Sequence, residues 1–405
     1  MQLAGGAVLA LLTERGRAAL GQPAPIRIVP PIKVGLLRSL SGVMAIAESE
    51  LLDAEQLAIE EINQAGGVLG RQIQPIVEDY QSDWPLAQEI AEKLIQGDRV
   101  VAIFGCLTTS SRKAVLPVIK NYQHLLWYAA AYEGQECSQN IFYTGTVPNQ
   151  QIEPTLEWFF NNRGKNFYLI GSDYAYPRTI NTIIKARLQQ LGGSVVGETY
   201  VPLGFTDTQD SVKTIQQALP QGGIIYNSLT GDSNHAFFVQ LFQAGLTAAR
   251  YPCISTNMTE LEIPQIGARY LQGHYLAESY FQTLDTPASR KFVTAFKARY
   301  GADRRVTAQM ANAYTSVYLW KQAVETAKTA IDLKRVRSAA IGQSFEAPEG
   351  RVTLTNSHHS TKWLRIGQIQ ANGQVGIIHQ FPQAIPPEPW NPRLLATKDR
   401  VCNWS

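Results

Sequence analysis

Five short stretches of this chain collect side chains suited to holding a small polar molecule. None collects the groups needed to break a bond in one. Residues 105–111 read Gly-Cys-Leu-Thr-Thr-Ser-Ser, with four successive hydroxyls. Arg38-Ser39-Leu40-Ser41-Gly42 is a second stretch, and Tyr128 with Tyr132-Glu133-Gly134 a third. Residues 171–177 (Gly-Ser-Asp-Tyr-Ala-Tyr-Pro) and 227–234 (Asn-Ser-Leu-Thr-Gly-Asp-Ser-Asn) complete the set. Hydroxyls, amides and phenols donate and accept hydrogen bonds without charge, which suits a flat neutral ligand with several polar atoms. Taken singly, each Ser, Thr or Asp reads as a helix cap and each Tyr as packing. Their coincidence in all five stretches argues for a binding cleft.

Reactive signatures are missing. The sequence holds no G-x-x-x-x-G-K-[ST] phosphate loop and no G-x-S-x-G nucleophile elbow. Gly66-Gly67-Val68-Leu69-Gly70 follows a helix and precedes a strand, the reverse of a dinucleotide loop, and reads as a turn. His358-His359 reads as a solvated loop pair. His124, His235, His274 and His379 are scattered without ligand spacing. No catalytic residue, metal or cofactor is expected.

Alternating strands and helices must position the polar stretches. Residues 33–37 form an apolar strand, and 49–63 places Leu51, Ala54, Ala58 and Ile62 on one helical face before Gly66-Gly67. A strand at 72–77 and a helix opened by Asp83-Trp84-Pro85 follow. Next come strands at 100–104 and 125–128 around a helix at 109–121. The cycle restarts with a helix at 151–161. Strands at 167–170, 194–200, 224–226 and 253–255 then alternate with helices at 176–191, 207–219 and 233–244. Two successive α/β units result, each a parallel sheet flanked by helices. Ligands of such sheets bind beyond the carboxyl ends of the strands, where all five polar stretches fall. A helix opened by Asp285-Thr286-Pro287, a long helix at 307–328 and a β-rich tail (352–354, 363–369, 375–380) complete the reading.

With 405 residues, 45% hydrophobic and 17% charged, the chain has the length of a globular protein of two domains. A net charge of +3 argues against nucleic acid as a partner. Four cysteines without a C-x-x-C pair exclude a disulfide-built scaffold and a zinc motif. Residues 3–12 are apolar, and small residues at 18–21 and several prolines follow, the order of an export signal without its basic start. Residues 1–31 are therefore expected to be a truncated export signal and linker.

Specific motifs carry a resemblance. Gly105-Cys106, Arg112-Lys113-Ala114-Val115, Tyr132-Glu133-Gly134, Pro148-Asn149-Gln150, Gly171-Ser172-Asp173-Tyr174, Tyr176-Pro177-Arg178, Tyr280-Phe281 and Asp285-Thr286-Pro287 resemble the amide-binding branch of the type I periplasmic solute-binding proteins. Ser39-Leu40-Ser41-Gly42, Leu126-Trp127-Tyr128, Gly231-Asp232-Ser233-Asn234 and Ala347-Pro348-Glu349-Gly350 are similar to its urea-binding members. The resemblance implies a two-lobed α/β fold, two parallel sheets flanked by helices and joined by three crossovers, closing on urea or a short amide without chemistry. It divides the chain into lobe 1 (32–147 with 275–337), lobe 2 (148–274 with 338–385) and a tail (386–405). Thr109, Tyr128, Tyr132, Tyr174 and Tyr176 would line the pocket, with Asp232 and Ser233 as further candidates.

Several positions depart from the family's pattern. Arg38 replaces a histidine, Ala129-Ala130-Ala131 is smaller than the usual segment, and Glu278-Ser279 replaces a Trp-Asn pair. Glu278, facing the cleft, would welcome an ammonium. The implied partners are ABC permease subunits, with the membrane met only through them, and the implied compartment is the periplasm. A cytoplasmic amide-sensing regulator, a branched-chain amino-acid binder and a small-molecule enzyme are the alternatives.

Overall fold

The computed structural model describes residues 30–402 and 404. The expected export signal lies almost wholly outside the described residues. The first sheet is built from β1 (Ile32–Arg38), β2 (Ile73–Asp79), β3 (Ile103–Gly105), β4 (Leu126–Tyr128) and β5 (Ile141–Tyr143), parallel in the order β2-β1-β3-β4-β5. Between them run α1 (Ala45–Gln64), α2 (Trp84–Gln96) and α3 (Thr109–Asn121). Successive strand residues point to opposite faces. Leu36, Phe104 and Trp127 therefore join one apolar cluster, while Leu37, Ile103, Leu126 and Tyr128 join another. Helices cover both faces, which is why these strands read as continuous apolar runs.

The second sheet repeats the plan. After α4 (Pro148–Asn162) come β6 (Asn166–Ser172), α5 (Ala175–Leu191), β7 (Ser194–Val201), α6 (Gln209–Ala218), β8 (Ile224–Ser228) and α7 (Asp232–Gln243). Then follow β9 (Cys253–Ser255), α8 (Glu262–Ile266), α9 (Ala268–Leu271) and β10 (Tyr275–Glu278). The helical section comprises α10 (Pro287–Tyr300), α11 (Ala308–Ala327) and α12 (Leu333–Ala340), then the hairpin β11 (Ser344–Ala347) with β12 (Gly350–Thr353). Finally β13 (Arg365–Ile369) adds antiparallel to β10 and β14 (Val375–Gln380) antiparallel to β13, giving the order β14-β13-β10-β9-β8-β6-β7.

The observed division of the lobes differs from the expected one. β10 pairs with β9 and belongs to the second sheet, so the second crossing follows Glu278 rather than preceding Tyr275. Val336, Ala340, Ala347, Val352 and Leu354 pack with Trp320 and the first lobe's core, so the chain returns to lobe 2 at Arg365, not at 338. α4 starts at Pro148 rather than at 151, because proline suits the first helical position and Gln150 accepts from the Val147 amide at 3.1 Å. β5 is three residues long, too short to show a period. The tail at 386–405 is not loose. Pro389 accepts from the Gln135 amide at 2.7 Å, Asn391 donates to Glu153 at 2.6 Å, and Cys402 forms a disulfide with Cys137. Cys106 is a buried free thiol.

A buried polar knot ties the crossings. Lys362, on the third crossing, donates to Glu349 Oε1 and to Asn312 Oδ1 of α11, both at 2.5 Å, with no exposed side-chain surface on either charge. Arg365 donates to the carbonyls of Ser279, on the second crossing, and Glu349. Gln150 Nε2 donates to Ser360 and Ile385 carbonyls, both at 2.9 Å. Burial lowers the Lys362 ammonium's pKa, against the pull of Glu349. Removing Glu349 leaves that ammonium unpaired in a dry site. Glu349→Ala is therefore expected to cost about 3–5 kcal/mol, whereas the apolar pair Glu349→Leu with Lys362→Met recovers most of it. Thermal unfolding of both variants checks this, and a Glu349→Ala protein that melts like the parent would refute it.

Candidate functional site

On the lobe 1 side, β3 ends at Gly105 and Cys106 takes a left-handed backbone, φ 63°. Thr108 then caps α3, accepting from the Ser111 amide at 3.0 Å. That turn presents Thr109, whose hydroxyl donates to Glu133 Oε2 at 2.7 Å. Glu133 is 5% exposed. The chain reverses directly after it, with Gly134 at φ 72° and Gln135 at φ 63°. A Cβ on Gly134 would stand 2.5 Å from the Pro389 carbonyl oxygen, so only glycine fits against the tail there. The tail and the Cys137–Cys402 bond thereby hold the loop that carries Glu133.

On the lobe 2 side, Tyr174 occupies the N-cap of α5 and Tyr176 its first turn. Their rings stack at 6.4 Å between centroids. The Tyr174 hydroxyl lies 3.3 Å from Thr230 Oγ1, and Asn257 Nδ2 donates to the same Thr230 oxygen at 2.6 Å. Tyr226 and Thr256 share a hydrogen bond of 2.9 Å. Tyr176 is 7% exposed, and its hydroxyl bonds to nothing among the described residues. Burial pushes its phenol pKa well up, and Tyr226, Tyr174, Glu278 and Glu133 push it further. Glu133 bears on Tyr174 as well. Glu133 of lobe 1 is thus within electrostatic reach of both tyrosines of lobe 2.

Glu278 ends β10. Burial raises its carboxyl well above the usual range, and Glu260 adds to the rise. The Ser279 amide, Lys362 and Gln151 oppose it. Gln151 is itself fixed, accepting from Thr146 at 3.0 Å and donating to the Ala277 carbonyl at 2.7 Å. Glu260 is 2% exposed, and its carboxyl is pushed up to about 8, by burial above all.

Of the expected residues, Tyr174 and Tyr176 stack on each other, Thr109 bonds Glu133, and Glu278 bears electrostatically on Tyr176. Two others have their hydroxyls committed within lobe 1. Tyr128 donates to the Leu107 carbonyl at 2.6 Å, and Tyr132 bonds His359 Nε2 at 2.6 Å and the Glu136 carbonyl at 3.0 Å. Their rings sandwich the Arg112 guanidinium at 4.7 and 4.4 Å, which pairs with Glu136 at 2.9 Å. They form a wall without a free polar group. Asp232 is exposed in the first turn of α7, and Ser233 is fully buried with an unpartnered hydroxyl; neither bonds to these groups.

His358-His359 is not a solvated pair. Both rings are buried, stacked on Phe142 at 4.7 Å and Tyr143 at 4.2 Å, and burial lowers them to about 4 and about 3. Arg38 is also buried, bonded to Glu55 and to the Cys106 carbonyl at 2.9 Å, and supports the β3 turn from beneath. Glu133 and Thr230 fell within the polar stretches but were not put forward as pocket residues, and Tyr226 and Asn257 were not singled out. Position was the signal for Glu133, Thr230 and Asn257, which lie in loops that follow strands, whereas Tyr226 lies inside β8. A cavity of about 880 Å³ lies at the opposite strand ends, lined by Arg163, Lys165, Arg250 and Arg269 among others, and includes none of the expected site residues.

The family described as "periplasmic binding protein domain" matches residues 32–395. The Leu/Ile/Val-binding protein homolog 3 of Brucella melitensis is 24% identical over 332 residues, 80% of this chain and 88% of that protein. A limonene hydroxylase of Geobacillus stearothermophilus is 36% identical over 124 residues, only 31% of this chain and 23% of that protein. Among solved structures, a solute-binding protein of an ABC transporter from Rhodopseudomonas palustris, in complex with p-hydroxybenzoic acid, superposes with a TM-score of 0.80. It shares 21% identity, covering 89% of this chain and 98% of that one, and its likeness is one of fold.

Because the Tyr176 hydroxyl has no partner to lose, Tyr176→Phe should change unliganded stability by less than about 0.5 kcal/mol. It should weaken ligand binding by about 0.5–1.5 kcal/mol, measured by calorimetry. Early melting with unaltered binding would make Tyr176 a packing residue. Glu260 supplies a pH test. Its folded carboxyl keeps a proton that the unfolded chain releases above the usual carboxylate range. Its contribution to stability is therefore present at low pH and fades as pH rises from about 4.5 to about 8. Glu260→Gln should gain stability relative to the parent across that window; a difference independent of pH would refute the assignment.

Proposed function

The chain belongs to the periplasmic binding protein domain family, and we propose that within it this member is the solute-binding component of an ABC-type importer for urea or a short amide. As a member of that family it is a binding protein, not an enzyme. Closure of two lobes on the solute is its work, and the permease reads the closed form. One observation carries the ligand class. Glu133 from lobe 1 and Glu278 from lobe 2 both bear on the phenol of Tyr176, whose hydroxyl meets no other group among the described residues. An ionised carboxylate only accepts and calls for N–H donors, and a protonated one offers an O–H as well. Urea and amides are rich in such donors, while their carbonyl can accept from a phenol.

An aromatic acid, as bound by the Rhodopseudomonas palustris neighbour, would bring a third carboxylate among two. An aliphatic amino acid, as in the name of the Brucella melitensis relative, would satisfy the carboxylates with its ammonium and bring a carboxylate of its own. The disulfide between Cys137 and Cys402 supports an oxidising compartment, the periplasm, over a cytoplasmic sensor.

Thermal unfolding with urea, formamide, acetamide, leucine and p-hydroxybenzoate tests the reading. An amide-type compound at 100 times its Kd should add about 2.7 kcal/mol. Stabilisation by leucine or by p-hydroxybenzoate alone would overturn it.

A further inference from the structure

We propose that the cavity at the far end of lobe 2 is a second ligand site, which takes an extended anion carrying two or more phosphoryl groups. It is separate from the interlobe cleft and does not depend on what that cleft holds.

Topology places the cavity where four strands begin. β6, β8, β9 and β10 are neighbours in the second sheet, and their parallel course brings the segments that enter them to one edge. Residues within 162–166, 221–223, 246–252 and 269–275 line the cavity at that edge. Its volume of about 880 Å³ falls in the range of small-molecule sites and exceeds what a single phosphate ion fills.

Charge there is one-sided. Arg163, Lys165, Arg250 and Arg269 line the cavity, and no carboxylate does. Between Pro148 and Glu278 the sequence holds four other Lys and Arg residues, and each of those is ion-paired. Arg178 pairs with Asp173, Lys185 with Glu198, Arg187 with Glu157, and Lys213 with Asp210. The four at the cavity have no such partner among the described residues. What holds them is uncharged. Arg163 lies over the Tyr275 ring at 5.4 Å, Arg269 over Tyr270 at 4.4 Å, and Lys165 over Phe160 at 5.4 Å. Arg250 Nη2 donates to the Pro220 carbonyl at 3.1 Å, and its own carbonyl accepts from the Gly223 amide at 2.9 Å. These contacts position the cations without neutralising them. A guanidinium offers its N–H groups in a fork that matches two oxygens of one phosphoryl group, so three of them call for more than one such group.

A buried donor adds to the cations. His274 lines the cavity and is 4% exposed. Its Nδ1 accepts from the Cys253 amide at 3.0 Å, which leaves the ring hydrogen on Nε2, and Nε2 has no partner among the described residues. Burial lowers this imidazole to about 4, so at neutral pH it is an uncharged donor. A buried N–H without a protein partner is satisfied by an acceptor brought from outside, and an anion's oxygen is one.

Calorimetry on the full chain at constant ionic strength, with tripolyphosphate and orthophosphate as probes, tests this. Tripolyphosphate should bind at least about tenfold tighter than orthophosphate. Arg163→Gln with Arg250→Gln should weaken tripolyphosphate binding at least about tenfold, and so should the independent pair Lys165→Gln with Arg269→Gln. All four side chains are exposed, so the fold does not hang on them. Lys120→Gln with Lys334→Gln removes the same charge from exposed positions of lobe 1 and should change the affinity by less than about threefold. Phosphatidylcholine vesicles with and without cardiolipin separate the sources of the phosphoryl groups. Retention on cardiolipin vesicles that tripolyphosphate releases and the cavity variants lose supports the site with a lipid headgroup as its ligand. Tripolyphosphate binding without retention supports it with a free anion. Failure of tripolyphosphate to bind, binding that the cavity variants leave intact, or an equal loss in the lobe 1 pair overturns the proposal.

Discussion

A charged group with no access to water sits where the two lobes exchange chain. Lys362 cannot be solvated, so it must be paired, and Glu349 and Asn312 are the partners that make its burial tolerable. Glu349 lies between β11 and β12 and Asn312 on α11, while Lys362 itself runs toward β13. The pairing therefore dictates how the third crossing lies on lobe 1. Through Arg365 and the Ser279 carbonyl the second crossing is drawn in, and through Gln150 and Ser360 the first. The hinge of this protein is a buried polar knot rather than an apolar core. Such a knot has a strong geometric preference, because each lost bond leaves a buried group unpaired.

Because the crossings are tied, the strand ends of the two sheets meet in a defined way. Parallel strands place every polar loop at one edge of each sheet. Helix starts at Thr109 and Tyr174 add backbone amides at those edges, which explains why short hydroxyl and phenol groups suffice to build a cleft. Hydrogen bonds inside the lobes engage Thr109, Thr230, Tyr226 and Thr256, while the Tyr176 hydroxyl meets no other group among the described residues. Much of the site's apparent richness in tyrosine is structural: Tyr128 and Tyr132 enclose Arg112 and shape the loop that ends in Glu133.

The tail adds a second constraint on that loop. Gln135 donates to Pro389, Gly134 leaves room for its carbonyl, and Cys137 is bonded to Cys402. Asn391 meanwhile binds Glu153 of α4, which packs in lobe 2. The last residues of the chain thus touch both sides of the hinge. Their covalent anchor lies four residues beyond Glu133, so the position of a cleft carboxylate depends on residues far away in sequence.

The sequence by itself determined the layers. Apolar runs such as 125–128 require a sheet covered on both faces. Capped starts such as Asp83-Trp84-Pro85 and Thr286-Pro287 set helix boundaries, seen in the Asp83 and Thr286 cap bonds. Local period and cap chemistry carry that information within one element, and motif resemblance extended it to the family. Thr109, Tyr174, Tyr176 and Glu278 could be put forward as site candidates for the same reason, since each stands at a strand end or just beyond one. Only the tertiary structure decided which polar groups stay free. Glu133 took the Thr109 hydroxyl from 24 residues away, Tyr132 ceased to be one of the free phenols when His359 took its hydroxyl, and Cys137 paired with Cys402. Those outcomes rest on contacts between segments distant in sequence, and a hydrogen bond spent in one place is unavailable in another. No pattern along the chain records that competition.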